Sequence, residues 1–156
     1  MHGGLGEKDV LTVRQILADL LVSSEADHCL VCDSGGYVVA EEGSLPHDQF
    51  LISALGAGVF GASRELARIL GEDEFSAVLH QGEKRSIFIH AIDTDHLLVV
   101  VFSTSATVGL VKFYSTPAAQ QLRQLIEEIA TRRASPAEGL QPFVLTSKGN
   151  LFGGKA

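Results

Sequence analysis

The sequence predicts an α+β layer domain in which a helix, a β-hairpin, a second helix, a three-stranded meander and a third helix follow one another. Two observations carry this prediction. Apolar residues recur at helical spacing in separate segments, and short runs with strand composition lie between those segments. The strand-like runs are joined by connections too short for a parallel crossover, so the strands should pair antiparallel.

The N-terminal part of the chain predicts a helix followed by a hairpin. Between Asp9 and Leu21, apolar residues fall at helical spacing with polar residues between them. Residues His28–Asp33 and Tyr37–Glu42 have strand composition and are separated by Ser34-Gly35-Gly36, whose glycines supply the positive φ that a tight turn needs. We expect residues 1–8 to form a flexible N-terminus.

A second helix is predicted from His47 to Leu70, because apolar residues recur at intervals of three and four, and Gly71 is a plausible C-terminal cap. Three strand-like runs follow, at Phe75–His80, Ser86–Ile92 and His96–Phe102. Short turn sequences join them. This pattern predicts the meander.

The C-terminal part predicts a third helix and a tail. Either Thr104 or Ser105 can cap a helix that runs to about Arg133. Residues 134–156 contain two prolines and four glycines and are expected to form a mobile tail. Residues 9–133 are therefore predicted to be one domain, for which 46% hydrophobic residues supply enough apolar material.

The overall charge bounds the class of partner. A formal net charge of -7 gives an acidic surface, which repels the phosphates of nucleic acids and anionic membranes. The chain starts with no signal-peptide pattern, and no apolar run approaches the roughly 18 residues that span a bilayer. We expect a cytoplasmic protein that neither binds nucleic acid nor inserts into a membrane.

Residues Gly56 to Gly61 match the dinucleotide-binding fingerprint GxGxxG. That fingerprint needs a strand before the glycines and an acidic residue about 20 positions later, at the end of a second parallel strand. Here the following strand ends in His80-Gln81, and the meander is antiparallel. Nucleotide binding and any cofactor are therefore not expected.

Metal and redox sites are also disfavoured. Cys29 and Cys32 have the spacing of a redox or zinc pair, but on a strand residues three apart point to opposite faces. His90 and His96 are predicted neighbours, yet no third metal ligand can be named. No spacing supports a catalytic triad, so no catalytic residue is assigned.

A stripe of small residues marks the second helix as a protein interface. Ala54, Gly58 and Ala62 lie four apart and share one helix face, where another backbone could approach closely. Glycine costs about 1 kcal/mol relative to alanine inside a helix, so close packing against a partner should recover the loss. We predict that these three residues form a dimer interface.

The hairpin from Leu30 to Ala40 resembles the opening of a roadblock/LC7 domain. Three further segments, Leu66 to Phe75, His80 to Glu83 and Val108 to Lys112, are similar to bacterial members of that family of the MglB type. The likeness covers about residues 10 to 133. Pro142-Phe143 and Asn150-Leu151-Phe152 also resemble the end of MglB-type chains.

The resemblance implies a profilin-like five-stranded antiparallel sheet, with one helix on one face and two on the other. It also implies a homodimer whose second helices lie side by side and bind a small Ras-like GTPase of the MglA type, two copies per GTPase, stimulating GTP hydrolysis. Such a protein has no active site of its own. Carried over to this sequence, the GTPase-binding residues are Gly61, Ala62, Ser63, Glu65 and Arg68 on the second helix, and Phe143, Leu151 and Phe152 in the tail.

Within that resemblance, Gly61 fits a position where the family uses a small residue, whereas Glu65 replaces another small one. MglB-type activators are thought to reposition groups of the GTPase, so Arg64 and Arg68 are assigned to docking rather than to chemistry. Two alternatives stay open. One is a roadblock scaffold that binds a GTPase without activating it, and the other is a ligand sensor that encloses a small molecule in each monomer.

Overall fold

The computed structural model describes residues 5–45, 48–72 and 76–149, with side chains described up to Ala134 except that of Gln49. The predicted order of elements is confirmed. In chain order they are α1 (Glu7–Ser24), β1 (His28–Asp33), β2 (Val38–Gly43), α2 (Gln49–Leu70), β3 (Ala77–Gln81), β4 (Arg85–Ala91), β5 (His96–Ser103) and α3 (Val108–Gly149). The predicted limits at His47 and Phe75 lie outside the described residues.

The strands form one five-stranded antiparallel sheet in the order β2-β1-β5-β4-β3. The central strand β5 pairs with β1 on one side and β4 on the other, so that Val99 faces Leu30 and Ile89 in the register. The predicted hairpin and the predicted three-stranded meander are both present. The first strand of the meander, β3, and the second strand of the first hairpin, β2, form the two edges.

The alternation of side chains along β1 shows how the helices cover the sheet. The Cys29 thiol donates a hydrogen bond to the Leu17 carbonyl of α1 at 3.4 Å. The next residue, Leu30, points to the other face and packs in a cluster with Ala57 and Phe60 of α2. Because successive strand residues face opposite sides, α1 and α2 cover opposite faces of the sheet.

The first part of α3 lies on the α1 face. His90 pairs with Leu98 and therefore shares a face with Val100, the partner of Cys29. The same His90 and Thr116 of α3 line one cleft. One helix on one face and two on the other is the arrangement that the family resemblance implies.

The start and end of α3 differ from the sequence prediction. Thr107, rather than Thr104 or Ser105, caps the helix, since its hydroxyl accepts a hydrogen bond from the Leu110 amide at 3.1 Å. Residues 103–106 instead form a turn closed by the Ala106 amide and the Ser103 carbonyl. At the other end the helical backbone continues to Gly149, beyond the predicted limit at about Arg133. Between Pro136 and Pro142, four of the five residues are good helix formers, which favours a continued helix although each proline disfavours it.

By internal contacts the chain divides into two compact units, Met1–Arg123 and Gln124–Ala156. The first unit contains the complete sheet, α1, α2 and the part of α3 up to Arg123. The second contains the rest of α3. The predicted division into residues 1–8, 9–133 and 134–156, with a mobile tail, stays a prediction.

The turn between β1 and β2 depends on one glycine. Gly36 has φ +90°, whereas Gly35 does not have a positive φ, so only one of the two predicted glycines supplies this conformation. A Cβ at Gly36 would lie 2.7 Å from the Cα of Ala54. The Ser53 hydroxyl donates to the Gly36 carbonyl at 2.6 Å and fixes α2 against the turn.

We expect Gly36→Ala to lower the free energy of unfolding by at least about 2 kcal/mol, because it adds left-handed strain and a backbone clash. Gly35→Ala is the matched control, since a Cβ there meets no atom closer than 3.4 Å. Urea denaturation of both variants measures the difference. Equal stability of the two variants would contradict this account of the turn.

Candidate protein interaction surface on the second helix

Helix α2 packs on the sheet through a face of mostly small side chains. The ring of Phe60 is the one large group among these buried residues and inserts into the cluster around Leu30 and Val99. A Cβ at Gly56 would lie 3.7 Å from the Ile89 Cδ1 atom, so this glycine faces the sheet. The buried residues of α2 are Ser53, Gly56, Ala57, Phe60 and Ala67.

The opposite face of α2 is apolar and exposed. Its large side chains have between 50% and 70% of their surface accessible to solvent, which is unusual for a row of such residues on one helix. We call this set the apolar face of α2. It consists of Leu51, Leu55, Leu66 and Ile69, while Phe50 and Leu70 are also exposed but lie at the two ends of the helix and off this face.

These large residues belong to the helical pattern of the sequence, but they were not predicted to form part of the interface. The structure places them on the solvent side, beside the small residues that were assigned. The signal was available in the sequence, because Leu51 and Leu55 lie seven and three residues before Gly58 and therefore share its face. The pattern of spacing alone did not show which apolar residues faced the sheet.

The predicted dimer residues Ala54, Gly58 and Ala62 are all exposed, at the centre of the apolar face. A Cβ added at Gly58 or Gly61 would meet no other atom within 4 Å. Neither glycine is therefore required by packing within the described residues. Each costs about 1 kcal/mol of helix stability relative to alanine. Space for a partner is a physical reason for both.

Among the described residues, Phe50–Leu70 is also long and apolar enough by length and composition to cross a membrane. Core helices of water-soluble domains pass the same test. Here Ala57, Phe60 and Ala67 pack within the domain, and Arg64, Glu65 and Arg68 interrupt the second half of the helix.

The residues predicted to contact a GTPase fall into two groups. Gly61, Glu65 and Arg68 are exposed on α2, where the Arg68 Nε atom donates to the Glu65 carboxylate at 3.0 Å. Ser63 is half-buried beside them. The side chain of Phe143, and residues 151 and 152 entirely, lie outside the described part of the chain.

The two arginines of α2 have different environments. The Arg64 guanidinium lies 5.2 Å from the centre of the Phe60 ring and donates to the Thr94 carbonyl at 2.9 Å. It thus joins α2 to the turn between β4 and β5. Arg68 pairs with Glu65 at the surface, and because both side chains are exposed, a partner can separate this pair at little cost.

The glycines of the GxGxxG sequence lie in the middle of α2, which runs from Gln49 to Leu70. A dinucleotide-binding loop needs them at a turn between a strand and a helix, where backbone amides can hold the phosphates. Intrahelical hydrogen bonds occupy the amides here. The fingerprint is therefore a coincidence of small residues on a helix.

The two cysteines are separated as the strand geometry predicts. Cys29 faces α1, and Cys32 packs in the cluster under α2. Burial raises the pKa of the Cys29 thiol to about 12, with a smaller contribution from Glu42. Burial also raises the pKa of the Cys32 thiol to about 12, with a smaller contribution from Asp33.

We expect both thiols to be unreactive towards an aromatic disulfide reagent at pH 8 in the folded protein, and to react fully in denaturant. Since folding raises the pKa from 9.0 to about 12, the stabilisation from the neutral thiols is complete below pH 9 and is lost as pH rises towards 12. Thiol labelling with and without denaturant measures the reactivity of the two thiols. Rapid labelling of the folded chain would contradict the burial.

His90 and His96 contact different partners. The His90 Nδ1 atom lies 2.9 Å from the Ala91 carbonyl, and the His96 Nδ1 atom lies 2.9 Å from the Asp93 carboxylate. Within the described ranges, no group of three or more His, Cys, Asp and Glu side chains could hold a metal ion.

Solved structures similar to this chain share its fold over most of their length. Gliding protein MglB from Thermus thermophilus is 30% identical, with a TM-score of 0.76, and the match covers 80% of this chain and 95% of that chain. MglB from Myxococcus xanthus is 25% identical, with a TM-score of 0.75 and the same coverage. An MglB structure with a tetrameric arrangement is 29% identical, with a TM-score of 0.76, and covers 80% of this chain and 95% of that chain.

More distant structures show the fold alone. Profilin II from Acanthamoeba castellanii is 13% identical, with a TM-score of 0.53, over 70% of this chain and 95% of that chain. No curated protein sequence gives a significant match. The family model of the roadblock/LC7 domain matches residues 12–102. This range includes all of α2 and the complete sheet except the last residue of β5. The chain therefore belongs to the roadblock/LC7 domain family.

Proposed function

We propose that this protein is a cytoplasmic homodimer that binds a small Ras-like GTPase of the MglA type and stimulates its hydrolysis of GTP. The observation that carries the proposal is the exposed face of α2, which combines large apolar side chains with a centre of small residues. The similarity to MglB structures supports the same assignment.

The apolar face of α2 supports dimerisation. Leaving Leu51, Leu55 and Ile69 more than half exposed is unfavourable, and burying each stabilises a complex by roughly 1–2 kcal/mol. Between these large residues, Gly58 and Ala62 allow a second helix to approach closely. A second copy supplies an identical apolar face, so a two-fold pair buries both faces at once.

The flank of α2 supports GTPase binding. Gly61, Glu65 and Arg68 lie on the exposed surface next to the dimer residues, so pairing two copies of α2 brings two such flanks together. The open space at Gly61 leaves room for a partner backbone or side chain. Glu65 favours a partner with a complementary basic group.

The proposed activation is indirect. An inserted arginine would need a free, extended side chain, but Arg64 is held by the Phe60 ring and the Thr94 carbonyl. Arg68 is exposed and suits docking. The protein would therefore act by changing the arrangement of the GTPase's own catalytic groups, and would have no active site of its own.

The test is GTP hydrolysis by the MglA-type GTPase of the same organism, measured with and without a two-fold excess of this protein. We expect an acceleration of at least about tenfold, equivalent to roughly 1.4 kcal/mol in the activation barrier. A complex that forms without acceleration would leave a GTPase-binding scaffold in place of an activator. If no complex forms, the proposed function is wrong.

A further inference from the structure

One part of the α2 face of the sheet is not covered by α2. At the end where β3 turns into β4, an open cleft of about 390 Å³ lies beside the first turns of the helix. Its size falls in the range of roughly 300–1,000 Å³ that small-molecule sites occupy. Four apolar side chains form its floor, namely Leu45, Ile52, Ile87 and Val101.

Two basic side chains stand at the rim of this cleft. His80 pairs with Ile87 in the sheet register, and Arg85 lies two residues before Ile87 on the same strand, so both side chains share the face of the apolar floor. Both residues are exposed and line the cleft. Within the described part of the chain, neither the Arg85 guanidinium nor the His80 ring has a hydrogen-bond or ion-pair partner.

The arrangement combines an apolar floor with a cation at one end, for which the described residues supply no ion-pair partner. An extended aliphatic group buries its surface on such a floor, while a carboxylate accepts two parallel hydrogen bonds from an arginine. We propose that this cleft binds a small amphiphilic carboxylate, with the aliphatic chain on Ile52, Ile87 and Val101 and the carboxylate at Arg85. His80 supplies a second polar contact.

This site is independent of the proposed GTPase surface. The cleft lies at the side of α2, whereas Gly58 and Gly61 point away from the sheet. It also differs from an enclosed polar pocket, since the cleft is open and its polar groups are confined to the rim. A ligand there would contact α2 only through its first turns, at Ile52.

The test is a titration of the full chain, labelled with ¹⁵N, with octanoate and in parallel with octyltrimethylammonium, which has the same chain and the opposite charge. We expect octanoate to cause saturable amide shifts at Ile52, Arg85, Ile87 and Val101, and the cation to bind at least about tenfold more weakly. Arg85→Gln should weaken octanoate binding about tenfold. Lys84→Gln is the matched control, because Lys84 is the exposed neighbour and does not line the cleft.

Three outcomes would overturn the proposal. Equal binding of both amphiphiles, or equal loss in the two variants, would show an unspecific apolar contact. Shifts centred on Gly58 and Ala62 would place the ligand on the apolar face of α2. Octanoate binding to the Gly58→Leu variant but not to the unmodified chain would show that a second copy covers the cleft in the dimer.

Discussion

Replacing Gly58 by leucine is expected to raise the dissociation constant of the dimer by roughly a hundredfold, because a large side chain at the centre of the small-residue stripe holds the two helices apart. Within the monomer, Gly58 is exposed and a Cβ added there has nothing within 4 Å, so we expect the leucine to fit without repacking. The change also favours the helix by about 1 kcal/mol. The monomer should therefore be at least as stable as before. Sedimentation equilibrium over a range of concentrations measures the dissociation constant.

The matched control is Gly109→Leu. Gly109 is also an exposed helical glycine with open space around its Cβ, but it lies in the first turn of α3. The substitution Gly109→Leu therefore introduces the same side chain into a helix at a position away from the proposed interface. If Gly58→Leu associates as tightly as Gly109→Leu, the small-residue stripe is not the dimer interface.

Gly61→Arg is expected to leave the dimer intact and to weaken GTPase binding at least about thirtyfold, since it fills the space that the partner would occupy. Gly61 is exposed and a Cβ added there meets no described atom within 4 Å, so we expect the monomer to accept the longer side chain without repacking. Calorimetric titration of the GTPase with the variant measures the affinity, and light scattering checks the dimer.

Gly61→Ala is the control that shows whether the size of the side chain at this position causes the effect. A single methyl group changes little of the space, so this variant should bind the GTPase with an affinity within a few-fold of the original chain. Normal binding by Gly61→Arg would show that the GTPase contacts another surface. Loss of the dimer in Gly61→Arg would show that Gly61 belongs to the interface between copies.

Much of the fold was predictable from the sequence because its local signals agree with its packing. The strand β1 occupies the predicted residues His28–Asp33, and α2 ends at Leu70 with Gly71 in a left-handed conformation at φ +79°. The amide of Gly71 donates to the carbonyls of Ala67 and Arg68, as a glycine cap should. These features depend on residues that are close in sequence.

The limits of α3 were not predictable in the same way. Thr104, Ser105 and Thr107 are all chemically able to cap a helix, and the choice of Thr107 follows from the turn that leaves β5 at Ser103. The turn between β1 and β2 was also not fully predictable, since the sequence offers two adjacent glycines for the positive φ. The φ of +90° at Gly36 and the approach of Ala54 in α2 show that Gly36 is the one under constraint.

The candidate interface was predictable only in part. The spacing of small residues predicts an interface at Ala54, Gly58 and Ala62, which stays a prediction, because glycine destabilises a helix unless close packing compensates. The large apolar residues of the same face looked like core residues, since hydrophobicity does not distinguish a sheet from a second chain as the burying partner. The anchoring of Arg64 by Thr94 depends on residues 30 positions apart and has no local signal.

The most direct measurement is the mass and composition of the complex between this protein and the MglA-type GTPase loaded with a GTP analogue, determined by light scattering with a calorimetric stoichiometry. We expect two copies of this 16.6 kDa chain for each GTPase, with the two copies already paired before the GTPase is added. A monomeric chain, or a complex with a single copy, would contradict the central claim that paired α2 helices form the binding surface.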